Sequence, residues 1–185
     1  VPMDVASKVT CTHATIVECT DATTYDQAID ALNGGAEGVV IRTDQAPLLA
    51  ELGADVVASR AIVAVADGQD VPAHLQPAGV LVECEHIPTE KSLQKYLNSM
   101  ETSVSGRNVY VRAPFETLEH IRGVAQQGAT AVVGTSQLCM DQSRDLDYVD
   151  ALLCMIQSDR ADGLYPTLVV SDTCSASLGL VYSSV

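Results

Sequence analysis

Gly35-Ala36-Glu37-Gly38-Val39-Val40-Ile41 decides the fold, because it reads as a helix stop followed at once by a buried strand. Glycine at a helix end takes the left-handed conformation without steric cost, and the β-branched run behind it suits a strand covered on both faces. The same grammar recurs in Gly53-Ala54-Asp55-Val56-Val57-Ala58-Ser59 and in Gly128-Ala129-Thr130-Ala131-Val132-Val133-Gly134. Short repeated strand and helix units give parallel strands joined by right-handed crossovers. The resulting fold class is α/β: parallel β/α repeats forming an incomplete barrel or an open sheet.

Working outward, the first strand is expected over Ala14 to Cys19 and the first helix from Thr24 to Leu32. Thr23 or Thr24 is its N-cap, and Tyr25, Ile29 and Leu32 face inward. Strands are expected at Gly38 to Ile41, around Val56 and Val57, with a further one at Ala61 to Val65, then at Gly79 to Cys84, Asn108 to Arg112 and Ala131 to Thr135. Helices are expected from Gln45 to Leu52, Thr89 to Met100, Pro114 to Gln127 and Arg144 to Gln157. A complete eight-unit barrel needs about 250 residues. Here only residues 1–158 are available for the β/α domain, so about six strands are expected, with a second chain as one way to complete the barrel.

Composition bounds the function. Hydrophobic residues make up 47% of the 185-residue chain, enough for one core, whereas aromatics make up 4% with no Trp. That core is therefore built from Val, Ala, Leu and Ile. The formal net charge of -14 opposes binding to nucleic acid and to anionic membrane surfaces. No apolar run reaches the roughly 20 residues that span a bilayer, and the first residues lack a signal-peptide pattern. Cys11, Cys19, Cys84, Cys139, Cys154 and Cys174 are widely spaced, as expected of reduced structural thiols in a cytoplasmic protein, with one or more disulfides as the alternative.

In a parallel β/α fold the loops after the strands converge, so a site draws on residues just past each strand. Those residues are Glu18, Arg42, Arg60, Glu83, Glu85, His86, Arg112, Thr135 and Ser136. Gly134-Thr135-Ser136 looks like the phosphate loop of ribulose-phosphate-binding barrels, and Arg42 and Arg112 are the phosphate partners this reading selects. That is one alternative: a small β/α-barrel enzyme or binder of a phosphorylated sugar. Glu83, Cys84, Glu85 and His86 offer four ligand types in a row, but alternate strand side chains diverge, so no metal site is expected. No G-x-S-x-G elbow surrounds any serine.

The carboxyl end carries a resemblance. Asp162-Gly163-Leu164-Tyr165-Pro166-Thr167-Leu168-Val169-Val170, a short turn, then Leu178-Gly179-Leu180-Val181-Tyr182-Ser183-Ser184 reads as a β-hairpin. It resembles the junction in the fungal trifunctional histidine-biosynthesis proteins where an amino-terminal region enters the phosphoribosyl-AMP cyclohydrolase domain. That family also contains a phosphoribosyl-ATP pyrophosphohydrolase and a histidinol dehydrogenase, and uses zinc, magnesium and NAD. The resemblance implies a β/α domain over 1–158, and a linker with the first hairpin of a truncated cyclohydrolase-like domain over 159–185.

No motif matching the family's metal ligands occurs in this sequence. The chain is therefore expected to be a fragment that catalyses none of the three reactions and has no cofactor of its own. Its expected partners are the rest of the parent polypeptide or a second copy met through the hairpin. A processed, secreted fragment recognised by a partner or host is the other alternative.

Overall fold

A computed structural model describes residues 16–72, 74–100, 108–134, 136–138, 146–155, 158 and 160–184. Six strands form one parallel sheet in the order β1-β2-β3-β4-β5-β6: β1 Ile16–Glu18, β2 Gly38–Arg42, β3 Ala61–Ala66, β4 Gly79–Glu83, β5 Asn108–Arg112 and β6 Thr130–Val132. The helices are α1 Tyr25–Asn33, α2 Ala46–Arg60, α3 Glu90–Met100, α4 Leu118–Gln126 and α5 Tyr148–Met155. β7 Tyr165–Val170 and β8 Ser177–Ser183 pair antiparallel as a separate two-stranded sheet. Each strand joins its sheet on the same side of its predecessor, which stacks the helices on one face. The sheet curls away from them into a half-barrel.

The two faces divide the apolar residues unequally. Toward the helices, Val39, Ile41, Val63, Val65, Val80 and Val82 are buried in the large core against Leu48, Leu52, Leu93, Ile121 and Val124. On the concave face a small cluster of Val40, Ile62, Ala64 and Leu81 packs with Ile16, Tyr110 and Val132. Alternation along each strand then carries Glu18, Arg42, Glu83 and Arg112 to the same concave side, one step beyond this plug. The strand ends thus place four charges around one mouth.

Three sequence expectations change. Val56 and Val57 belong to α2, which is kinked where Gly53 takes φ 71 and ψ 168, and the third strand is Ala61–Ala66. The longer apolar run Ala61-Ile62-Val63-Ala64-Val65 wins the ladder beside β2, in register Val39 to Ala61, and the chain before it must cross over as helix. Tyr25 is 38% exposed, whereas Ile29 and Leu32 pack against the core beside the buried Ala28 and Ala31. The last helix begins at Tyr148, with Val149 facing outward and Leu146 and Ala151 buried. Ala14, Thr135, Arg144 and Ile156 lie outside the described residues.

The crossover from β3 to β4 contains no helix among the described residues. Its first turn is held instead by α3: the Tyr96 hydroxyl accepts from the Gly68 N–H at 2.9 Å, Lys95 Nζ donates to the Gly68 carbonyl at 2.9 Å, and Ser92 Oγ donates to Asp67 at 2.6 Å.

Gly38 gives a direct test of the packing. A Cβ there would lie 2.7 Å from the Arg60 carbonyl oxygen, so Gly38→Ala should destabilise the half-barrel by about 1–3 kcal/mol. The expected readout is a lower urea midpoint at unchanged slope; an unchanged midpoint would show that the end of α2 does not press on β2.

Candidate functional site

Arg112 ends β5, and its guanidinium holds Glu18 at the end of β1 through two bonds, 3.1 and 3.0 Å, and Glu83 at the end of β4 at 2.9 Å. β1 and β5 are four ladder steps apart, about 19 Å in a flat sheet, beyond the combined reach of the two side chains. Curling brings them together. The hydrogen bonds from Arg112 hold Glu18 below the ordinary carboxylate value of 4.5, against the opposing effect of burial. Two carboxylates against one guanidinium leave one negative charge uncompensated.

Arg42, at the end of β2, is also committed. Its Nη2 and Nε meet Asp44 at 2.7 and 3.3 Å, a pairing that raises the guanidinium and lowers the carboxyl. Beside it opens a groove of about 540 Å³ lined by Asp21, Tyr25, Asp44, Gln45 and Glu51 among others, with no basic residue in its wall among the described residues. An anion gains nothing from such a lining.

The strand-end turns share a device that sequence reading missed. In Thr20-Asp21-Ala22-Thr23, Arg42-Thr43-Asp44-Gln45, Ala66-Asp67-Gly68-Gln69 and Gly134-Thr135-Ser136-Gln137, the first residue's N–H donates to the fourth residue's side-chain oxygen, at 2.9, 3.0, 3.4 and 3.0 Å. The fourth residue's N–H returns a bond to the first carbonyl, at 2.9, 3.0, 3.0 and 2.9 Å. Two of these glutamines also donate to the preceding loop, Gln45 to the Thr20 carbonyl at 2.7 Å and Gln137 to the Phe115 carbonyl at 3.3 Å. The legible signal was a Thr or Gln three to five residues past a strand end.

The expected site residues are distributed unevenly. Glu18, Arg42, Glu83 and Arg112 share the concave side of the mouth. Gly134 is there too, with its N–H given to Gln137. Ser136 is exposed, and Thr135 lies outside the described residues. Arg60 sits at the opposite end of the sheet, just before β3, where it donates to the Ala36 and Glu37 carbonyls; it was grouped with the mouth because Val56 and Val57 read as a strand.

Glu85 and His86 come after β4 on an exposed loop. Among the described residues no three His, Cys, Asp or Glu side chains gather as a metal site. Burial pushes the Cys19 and Cys84 thiols up to about 11, leaving them protonated and unreactive at neutral pH. Cys19, Cys84, Cys154 and Cys174 are free, and Cys11 and Cys139 lie outside the described residues. No described helix is long and apolar enough to cross a membrane.

No family model matches the chain. Along its length the chain is similar to the histidine biosynthesis bifunctional protein his7 of Schizosaccharomyces pombe, 26% identical over an alignment of 189 positions that covers 96% of this chain. The chain is a distant relative of a fungal histidine-biosynthesis protein. The similarity thus extends from the terminal hairpin, where the sequence first pointed to that pathway, through the half-barrel. The chain spans 44% of the length of his7, whose name carries two functions where the hairpin resembles the trifunctional fungal proteins.

Two outcomes check the mouth. Inorganic phosphate or sulfate should leave the melting temperature unchanged at constant ionic strength; a saturable rise would mean that the Gly134 turn reopens for an anion. Acid should act through Glu18. Its folded-state value is lowered, so its contribution is complete above the unfolded value near 4.5 and is lost as the pH falls through the lowered one. With the side chain 43% exposed, that contribution is under about 1 kcal/mol. Glu18→Gln should remove this acid-dependent component in urea titrations, and an unaltered pH profile would contradict the pairing.

Proposed function

We propose that the chain is the amino-terminal, non-catalytic part of a histidine-biosynthesis multifunctional enzyme, a scaffold ahead of a cyclohydrolase-like domain that β7 and β8 begin. The observation that carries this reading is the conjunction of similarity to his7 over 96% of the chain with a mouth whose arginines are paired with carboxylates and whose first turn amides donate to Gln and Thr oxygens. In this reading the parent's activities are phosphoribosyl-AMP cyclohydrolase, phosphoribosyl-ATP pyrophosphohydrolase and histidinol dehydrogenase. Zinc, magnesium and NAD belong to parts of the parent other than residues 1–185, and the setting is the cytoplasm. The half-barrel contributes stability and placement to the catalytic domains of the parent.

The test has two arms. The 185-residue chain, supplied with zinc and magnesium, should not hydrolyse phosphoribosyl-AMP. Removing residues 1–158 from the parent should lower its melting temperature while leaving the kcat of the surviving activities within about twofold. Enzyme-like turnover by the chain alone would overturn the non-catalytic reading.

A further inference from the structure

Three places in the sequence set an amide or carboxyl side chain directly before glycine: Asn33-Gly34, Asp67-Gly68 and Asp162-Gly163. Glycine leaves its own backbone nitrogen unshielded, so that nitrogen can attack the preceding side-chain carbonyl carbon and close a five-membered imide. The structure separates the three. Asp67 accepts from Ser92 Oγ at 2.6 Å, and the Gly68 N–H is held by the Tyr96 hydroxyl at 2.9 Å. Asp162 accepts from Arg160 Nε at 2.9 Å and from the Leu164 N–H at 3.1 Å, and the Gly163 N–H donates to the Arg160 carbonyl at 3.0 Å. An ionised carboxylate is also a poor electrophile. Asn33 is exposed, and among the described residues its side chain has no hydrogen-bond partner.

Asn33 stands where α1 stops. It is the last residue of a nine-residue helix that has no basic side chain in its final turn to hold the terminal carbonyls. The Gly34 N–H donates to the Asp30 carbonyl at 2.8 Å, so one hydrogen bond has to open before that nitrogen is free. The ends of short helices open at low cost, and the exposed Gly34 and Gly35 bring no side chain to pack this one down.

We infer that Asn33-Gly34 is a site of self-modification, at which the chain converts an exposed amide into a carboxylate. With the last turn open and the Gly34 nitrogen deprotonated, that nitrogen bonds to Asn33 Cγ, the bond from Cγ to the side-chain nitrogen breaks, and ammonia leaves with a proton from solvent. Water then opens the imide. Attack at the side-chain carbonyl restores the main chain with aspartate at position 33, and attack at the main-chain carbonyl routes the chain through the side chain as isoaspartate. The sum is amide plus water giving acid plus ammonia.

Both products act on the fold at one place. A carboxylate at the carboxyl end of a helix meets the negative end of its dipole. Isoaspartate also adds a methylene to the main chain between α1 and β2, where there is no slack. The Ala36 N–H donates to the Ala31 carbonyl at 3.0 Å, Arg60 Nη1 donates to the Glu37 carbonyl at 3.2 Å, and a Cβ on Gly38 would lie 2.7 Å from the Arg60 carbonyl oxygen. The modification therefore loosens β2, which pairs with both β1 and β3. The inference does not rest on the histidine-pathway reading, which is tested by catalysis.

The folded chain is aged from neutral to mildly alkaline pH and digested with trypsin, which places Asn33, Asn98 and Asn108 in three different peptides. Conversion of amide to acid should appear in the Asn33 peptide and rise with hydroxide concentration. It should outpace conversion at Asn98, whose side chain accepts from Gln94 Nε2 at 2.7 Å, and at Asn108 in β5. Urea should accelerate it, because α1 then no longer holds the Gly34 amide. An isoaspartyl-specific carboxyl methyltransferase should label the aged chain and leave aged Asn33→Gln, whose longer side chain would need a six-membered ring, without label. The aged chain should unfold at a lower urea midpoint than the fresh one, while Asn33→Gln keeps its midpoint on ageing. Conversion in the folded chain no faster at Asn33 than at Asn98 and Asn108, or a converted chain with the midpoint of the fresh one, would overturn the inference.

Discussion

Every strand of the half-barrel enters on the same side of the one before, and the rest of the structure depends on this single constraint. Crossovers of one hand then pile α1 to α5 on one face, and the sheet bends away from them so that they lie along its convex side. Bending shrinks the far face until a small plug of Val40, Ile62, Ala64 and Leu81 fills it, and draws the strand ends together above that plug. Arg112 reaches Glu18 across three intervening strands because of that curvature. The ion pair reports the curl more than it causes it: partly exposed pairs contribute little, while the valines of the helix-facing core remove far more apolar surface from water.

The mouth so formed has the geometry of a β/α ligand site and the chemistry of a closed one. Its guanidiniums face carboxylates, and its turn amides face Gln or Thr oxygens three residues on. A phosphate-binding loop depends on N–H groups left without an internal partner, and here the first and fourth amides of the four turns each have one. Glutamine at the fourth position does more than close its own turn, since Gln45 and Gln137 also tie neighbouring loops together. The same side chains therefore stiffen the rim.

The fold was legible in the sequence because Gly38 to Ile41, Gly79 to Glu83 and Asn108 to Arg112 each combine a strand-forming run with a flanking helical stripe. Val56 and Val57 misled because two adjacent valines behind a glycine look the same in a strand and in the second half of a kinked helix. Only pairing with β2 distinguishes them, and that choice is tertiary. Of the mouth, the residue types and their strand-end positions were readable. That Arg112 meets Glu18, 94 residues away, was not. The turn repeat was present in the letters at four places, yet its meaning lies in hydrogen bonds that no periodicity encodes.

The contact between β1 and β5 offers the most direct measurement of the curl. A double-mutant cycle on Glu18→Gln and Arg112→Met, read by urea unfolding at neutral pH, should give a favourable coupling of about 0.5–1 kcal/mol that fades as the pH falls below 4.5. Additive effects at every pH would place the two strands out of reach of each other and contradict the curled half-barrel.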